Sequence, residues 1–217
     1  MQRVAKLFIL MIALILAVAV TGCGDANPSS SLPVVTESGT TEEGSKELPP
    51  GDVALLYLEA MRGDVSGLRE YNPDTELTEE GVFGSTNQAL LEVWGVGPTA
   101  EQETQLTEAM LAGLSKVEFS VVGEEVDGES ATVTVAIRGI DMSSSLETQF
   151  ETIGGQITDD TEDETIIAIL DRAWREAPLV SESINVDMPF RAVSDGRWIA
   201  DPQGGADAAA AYMKMGG

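Results

Sequence analysis

The side chains able to do chemistry in this 217-residue sequence are carboxylates, three tyrosines and a single cysteine, with no histidine. Without an imidazole there is no Ser-His-Asp triad, no Cys-His dyad and no His-ligated zinc. A lone cysteine forms no internal disulfide and no CxxC pair. Acid–base work would fall to Asp and Glu, aided by Tyr57 or Tyr71. A carboxylate such as Asp187 would then need burial to raise its pKa. Its alternation with Val186 and Met188 places it on the opposite, solvent-facing side of a strand, which weakens the enzyme reading. Lys and Arg number 12 against 37 Asp and Glu, a formal charge of −25. That balance excludes sequence-independent nucleic-acid binding, which needs a cationic face to displace counterions.

Cys23 has the most informative surroundings. Arg3 and Lys6 form a cationic start, and residues 7–20 are apolar throughout, short of the roughly 20 residues of a spanning helix. Val20-Thr21-Gly22-Cys23 follows at once and looks like a bacterial lipobox. In such a site small residues admit a peptidase, and the cysteine thiol takes a diacylglyceryl group. The expectation is a signal peptide over residues 1–22 and a covalent diacylglycerol on Cys23 as the one attached group. Cleavage there removes Arg3 and Lys6 and no acid, leaving ten cations against 37 acids, or −27. Buried acyl chains contribute about 0.8 kcal/mol per methylene, so two long chains hold a protein stably at a membrane. An ordinary signal peptide with a chance cysteine, or an uncleaved anchor, is the plainer alternative.

Other candidate chemistry has a structural explanation close by. The acidic run Asp159-Asp160-Thr161-Glu162-Asp163-Glu164 is a candidate for Ca²⁺, but it departs from the EF-hand pattern and stands where a helix dipole favours acids. No metal is expected. Arg62-Gly63-Asp64 spells an adhesion tripeptide, yet glycine is also a natural helix terminator at that place. Trp94, Phe119, Phe150, Trp174, Phe190 and Trp198 are candidates to line a ligand pocket between helices and sheet. At these spacings they serve equally as core.

The elements that would position these groups follow from periodicity. Residues 23–50 are rich in Ser, Thr, Gly, Pro and Glu, with little to bury, and read as a linker. Residues 51–202 read as one α+β domain. Asp52 is expected to cap a first helix carrying Val53, Leu56, Tyr57 and Ala60. Capping boxes at Ser85, Thr99 and Thr161 each precede an apolar stripe at helical spacing. Period-two rows flank Asp127-Gly128, and a second such row runs from Ile184 to Phe190 before Asp195-Gly196, so two hairpins are expected. Pro189 implies a sheet edge or a bulge. The Ala- and Gly-rich residues 203–217 read as a frayed or loosely docked tail. Helices, hairpin, helices, hairpin implies a curved antiparallel sheet of about four strands with helices on one face.

The stretch Asp52-Val53-Ala54-Leu55-Leu56-Tyr57-Leu58-Glu59-Ala60-Met61-Arg62-Gly63-Asp64, with Gly196-Arg197-Trp198 closing the second hairpin, resembles uncharacterised bacterial surface lipoproteins with an NTF2-like (cystatin-like) domain. The resemblance implies a curved sheet wrapped on helices, often with a conical pocket, and no particular reaction. The reading preferred here is an extracytoplasmic, lipid-anchored, non-catalytic binding or interaction module of the cell envelope, on the surface of a Gram-positive bacterium. Its partners would be the lipid membrane and an unspecified protein or small molecule. The alternative is a small-ligand carrier or an enzyme using Asp, Glu and Tyr in the cone. An inhibitor acting through an exposed hairpin is a third reading, and it requires exposed apolar residues near Asp127-Gly128 or Asp195-Gly196.

Overall fold

The computed structural model describes residues 48–73, 91, 95–154 and 161–214. Val20, Thr21, Gly22, Cys23, Trp94 and the helix start at Ser85 lie outside them. Within them the order is α1 (Pro50–Met61), α2 (Ser66–Tyr71), α3 (Ala100–Leu114), β1 (Glu118–Asp127), β2 (Ser130–Arg138), β3 (Ile140–Asp141), α4 (Met142–Glu151), α5 (Asp163–Glu176), β4 (Ile184–Ala192), β5 (Trp198–Ala200), α6 (Pro202–Tyr212) and β6 (Met213–Lys214). The fold is α+β. Four antiparallel strands form one sheet in the order β1-β2-β4-β5, and β3 pairs with β6 in a short parallel ladder.

Strand β2 explains why the sheet holds. Ala131, Val133, Val135 and Ile137 point to one face and are buried, while Thr132, Thr134, Ala136 and Arg138 alternate with them and stay partly exposed. Val186, Met188 and Phe190 of β4 continue the buried row beside them. Each such side chain contributes about 1.5–3 kcal/mol when fully buried. Both hairpins turn at the expected Asp-Gly pairs, where Gly128 and Gly196 take φ of 60° and 82°, values that favour glycine. Strand β1 carries a register shift between Val121 and Gly123, a bulge that bends this edge.

Two helix starts differ from expectation. Helix α1 begins at Pro50 with Pro49 as its N-cap, and Asp52 sits in the first turn. A proline at the first helical position loses nothing, because its missing N–H would have had no partner in the helix. Helix α5 is capped at Glu162, without a side-chain bond, rather than at Thr161; Asp163 and Glu164 lie in its first turn, where the dipole favours them. The Thr99 box on α3 forms as expected: the Thr99 amide donates to Gln102 Oε1 at 2.8 Å and the Gln102 amide donates to Thr99 Oγ1 at 3.4 Å.

Helices α3, α4 and α5 pack on one another, with α5 between the other two. Gly113 of α3 brings that helix against the Trp174 carbonyl, which an added Cβ would meet at 2.6 Å. Helices α1 and α6 pack on the sheet.

The C-terminal helix is the main departure from the sequence reading. It is docked, not frayed. Asp201 caps it by accepting from the Gln203 amide at 2.9 Å, and Ala208, Ala211 and Tyr212 are buried. Small residues allow this. Gly204 lies against Met188 and Pro189, and a Cβ on Gly139, just past β2, would collide with the carbonyl oxygens of Ala211 and Tyr212. Backbone cannot yield there as a flexible side chain would. Gly139→Ala is therefore expected to cost about 2–3 kcal/mol and to lower the melting temperature by about 5–10 °C. A thermal melt indistinguishable from that of the natural chain would contradict the close approach.

Candidate functional site

Strand β4 has two kinds of edge. Its even-numbered residues bond to β2, as the Ala192 amide does to the neighbouring Glu129 carbonyl. Its odd-numbered residues face the other way. The Pro189 carbonyl accepts from the Asp201 amide at 2.7 Å, and the Val193 amide donates to Arg197 at 2.8 Å. Strand β5 pairs only with Phe190–Ala192. By this alternation the main-chain N–H and C=O of Asn185 and Asp187 point outward along an edge that no described strand covers. Pro189, with no N–H to offer, stands where β5 gives way to the open edge.

A groove of about 450 Å³ opens between this stretch and α6, lined by Ile184, Asn185, Val186, Asp187, Asp207, Ala210 and Ala211. It is shallow and open to solvent rather than an enclosed cavity. Its apolar part is Ile184, Val186 and the two alanines, and Ile184 is 55% exposed. Its charged part is two carboxylates. Thr134 Oγ1 donates to Asp187 Oδ1 at 2.7 Å, and Gln203 Nε2 donates to Asp207 Oδ1 at 3.0 Å. Asp187 is exposed, as alternation required.

The aromatic candidates sit elsewhere. Phe119 stacks on Tyr212 with ring centroids 6.2 Å apart, and the Arg62 guanidinium lies 4.8 Å from the Phe119 centroid. Phe190 is buried and meets Tyr57 edge-on at 6.1 Å. Trp174 is buried among the helices, and Phe150 packs on the core. Trp198 is partly buried; its amide donates to Tyr71 Oη at 2.6 Å, which ties α2 to β5. Arg197 completes that tie by donating to Asn72 Oδ1 at 2.6 Å. None of these five lines the groove, and their contacts are those of a core. The face of the sheet under the helices is occupied by Val133, Val135, Met188 and Leu58 rather than by a cone of carboxylates.

The remaining candidates also take structural places. Arg62 donates to Glu59 at 2.6 Å and to the Val117 carbonyl at 3.2 Å, and Gly63 takes φ of 109° just past α1, so this tripeptide ends a helix. No group of three or more possible metal-ligating side chains occurs among the described residues; Asp159 and Asp160 lie outside them. On the strand that leads to Asp127-Gly128, Val122 is 55% and Val126 53% exposed, scattered apolar residues of the kind common on surfaces.

No family model matches the chain, and no curated protein matches it by sequence. Among solved structures the fold is similar to that of ycdA from Bacillus subtilis, a protein provisionally assigned as a lipoprotein. The TM-score is 0.57 at 13% identity, over 76% of this chain and 56% of that one. The present chain thus spans little more than half the length of that protein, and the likeness is one of fold. No described helix is long and apolar enough to cross a membrane.

Burial raises the pKa of Tyr212, whose hydroxyl donates to the Leu58 carbonyl at 2.7 Å. Burial also raises that of Tyr71. An unfolded tyrosine ionises near pH 10. The native state resists that ionisation, so stability is fully present below about pH 10 and falls as pH rises beyond it. Tyr212→Phe is expected to lose about 1 kcal/mol at neutral pH and to decline less steeply between about pH 9.5 and 11.5. Denaturant melts across that range would show parallel slopes if Tyr212 were not buried.

Proposed function

We propose that this chain is a membrane-anchored, extracytoplasmic lipoprotein whose α+β domain serves as a non-catalytic binding module of the cell envelope, on the surface of a Gram-positive bacterium. The observation that carries the proposal is the placing of the only cysteine, directly after Val20-Thr21-Gly22 and a fourteen-residue apolar run. The fold shared with ycdA supports it, because that protein is assigned, provisionally, as a lipoprotein. The element order is compatible with an NTF2-like (cystatin-like) arrangement in which the interior is packed and binding takes place outside it.

Two features of the geometry support the reading as a binding module. Tyr212 and Tyr71, which would be the phenolic acids of a cone, have their hydroxyls engaged by the main chain at Leu58 and Trp198. The groove beside β4 offers instead main-chain groups, an apolar floor and exposed carboxylates, which suit recognition. A carrier or enzyme would use the same groove, where Asp187 and Asp207 share a lining. Residues 23–50 would space the domain from the lipid, and its excess negative charge would repel an anionic surface.

Cys23→Ala tests the anchor. Expressed in a Gram-positive host, the natural chain is expected to incorporate labelled fatty acid and to partition into detergent, with an intact mass that fits cleavage before Cys23 plus a diacylglyceryl group. The variant is expected to lose label and added mass together. Equal labelling of the two would contradict the proposal.

A further inference from the structure

The two edges of the sheet are built differently. Strand β1 is bent by its bulge and carries Glu118, Glu124 and Glu125, devices that discourage another strand from pairing. The outer edge of β4 between Ile184 and Asp187 has regular register with β2 and no bulge. It also has the groove beside it. An incoming strand would find the main-chain groups of Asn185 and Asp187 for its ladder. Toward α6 it would find Val186, Ile184 and Ala210, and on the solvent side the Asp187 carboxylate; Asp207 adds a second negative charge to the lining. Among the described residues that line the groove none is a cation.

From this we infer that the β4 edge and its groove take up an extended, basic segment of another polypeptide as an added strand. The segment would alternate Lys or Arg with a small apolar residue. The basic side chains would stand beside Asp187, and the apolar ones would enter the groove against Val186 and Ala210. Main-chain bonds supply affinity in this mode and the alternate side chains supply selectivity. Charge decides the occupant. A second copy of this chain, itself at −25, would set acid against acid. The chain's own residues 24–47 carry five acids and one lysine, so they too would be repelled. This assignment rests on the reading of the domain as a binding module and names the class of its partner.

The test uses the full lipidated chain in detergent and a fluorescent, end-capped octapeptide alternating Lys and Val, with a Glu-Val octapeptide and a Lys₄-Val₄ block peptide as controls. Saturable binding of the alternating Lys-Val peptide is expected. It should exceed that of the block peptide at least tenfold and weaken with added salt. Asp187→Lys is expected to weaken it tenfold or more. Asn185→Pro removes an N–H from the free edge without touching the β2 ladder and is expected to do the same, with circular dichroism unchanged. If Asn185→Pro does not fold, Asp187→Lys alone decides. Equal binding of alternating and block peptides, or no effect of Asp187→Lys, would overturn the inference. So would a dimer in sedimentation that Asp187→Lys dissociates, because the groove would then belong to a second copy. Loss of peptide binding with the Cys23 label intact would remove this site and leave the anchor standing.

Discussion

The fold depends on the return of its C-terminus beneath the sheet. Tyr212 reaches a carbonyl 154 residues earlier in the chain, at Leu58 of α1, while its ring stacks on Phe119 of β1. The Arg62 guanidinium lies over the other partner of that stack and is itself held by Glu59 and the Val117 carbonyl. One tyrosine thereby joins the first helix, the first strand and the last helix. The contact is possible only because Gly139 lets the main chain of Ala211 and Tyr212 come close to the end of β2. Beyond it, Met213 and Lys214 pair with Ile140 and Asp141 and extend the closure by a short parallel ladder.

That closure also shapes the exterior. Helix α6 begins beside Pro189 and ends near Gly139, so it passes alongside β4 on its way to the far end of β2. Strand β5 is only three residues long and leaves β4 before Asn185 is reached. The groove is the space between α6 and the stretch of β4 that β5 leaves unpaired. Had β5 been longer, β4 would be an interior strand and no edge would be presented. The same short element that completes the hairpin therefore creates the candidate site.

Much of the frame was legible in the amino-acid sequence because its signals are local. The Thr99 box, the two Asp-Gly turns and the period-two rows of β2 and β4 each lie within a few residues, and each stands where expected. Pro189, read as an edge or a bulge because it lacks a donor, stands where β5 stops pairing with β4. A helix from about Ala206 could be read at the end of the chain, but its docking could not. Ala and Gly between 204 and 211 show no strong apolar stripe, and what fixes the helix is a distant carbonyl and close backbone approach. The aromatic residues were ambiguous for a related reason: the spacing that puts Phe119, Phe190 and Trp174 toward a cavity is the spacing that puts them in a core. The groove could not be read at all, since it is made where a short strand ends beside a helix distant in sequence rather than from a pattern of side chains.

The domain is closed on its inner side by Tyr212 and leaves one stretch of strand edge outside without a strand partner among the described residues. Residue-resolved amide hydrogen exchange tests that description most directly. Within β4 the amides of Val186 and Met188 lie in the ladder with β2, and those of Asn185 and Asp187 face the free edge. The account predicts slow exchange at Val186 and Met188 and fast exchange at Asn185 and Asp187. Equal protection at all four positions would mean that the edge is already covered, and would contradict it.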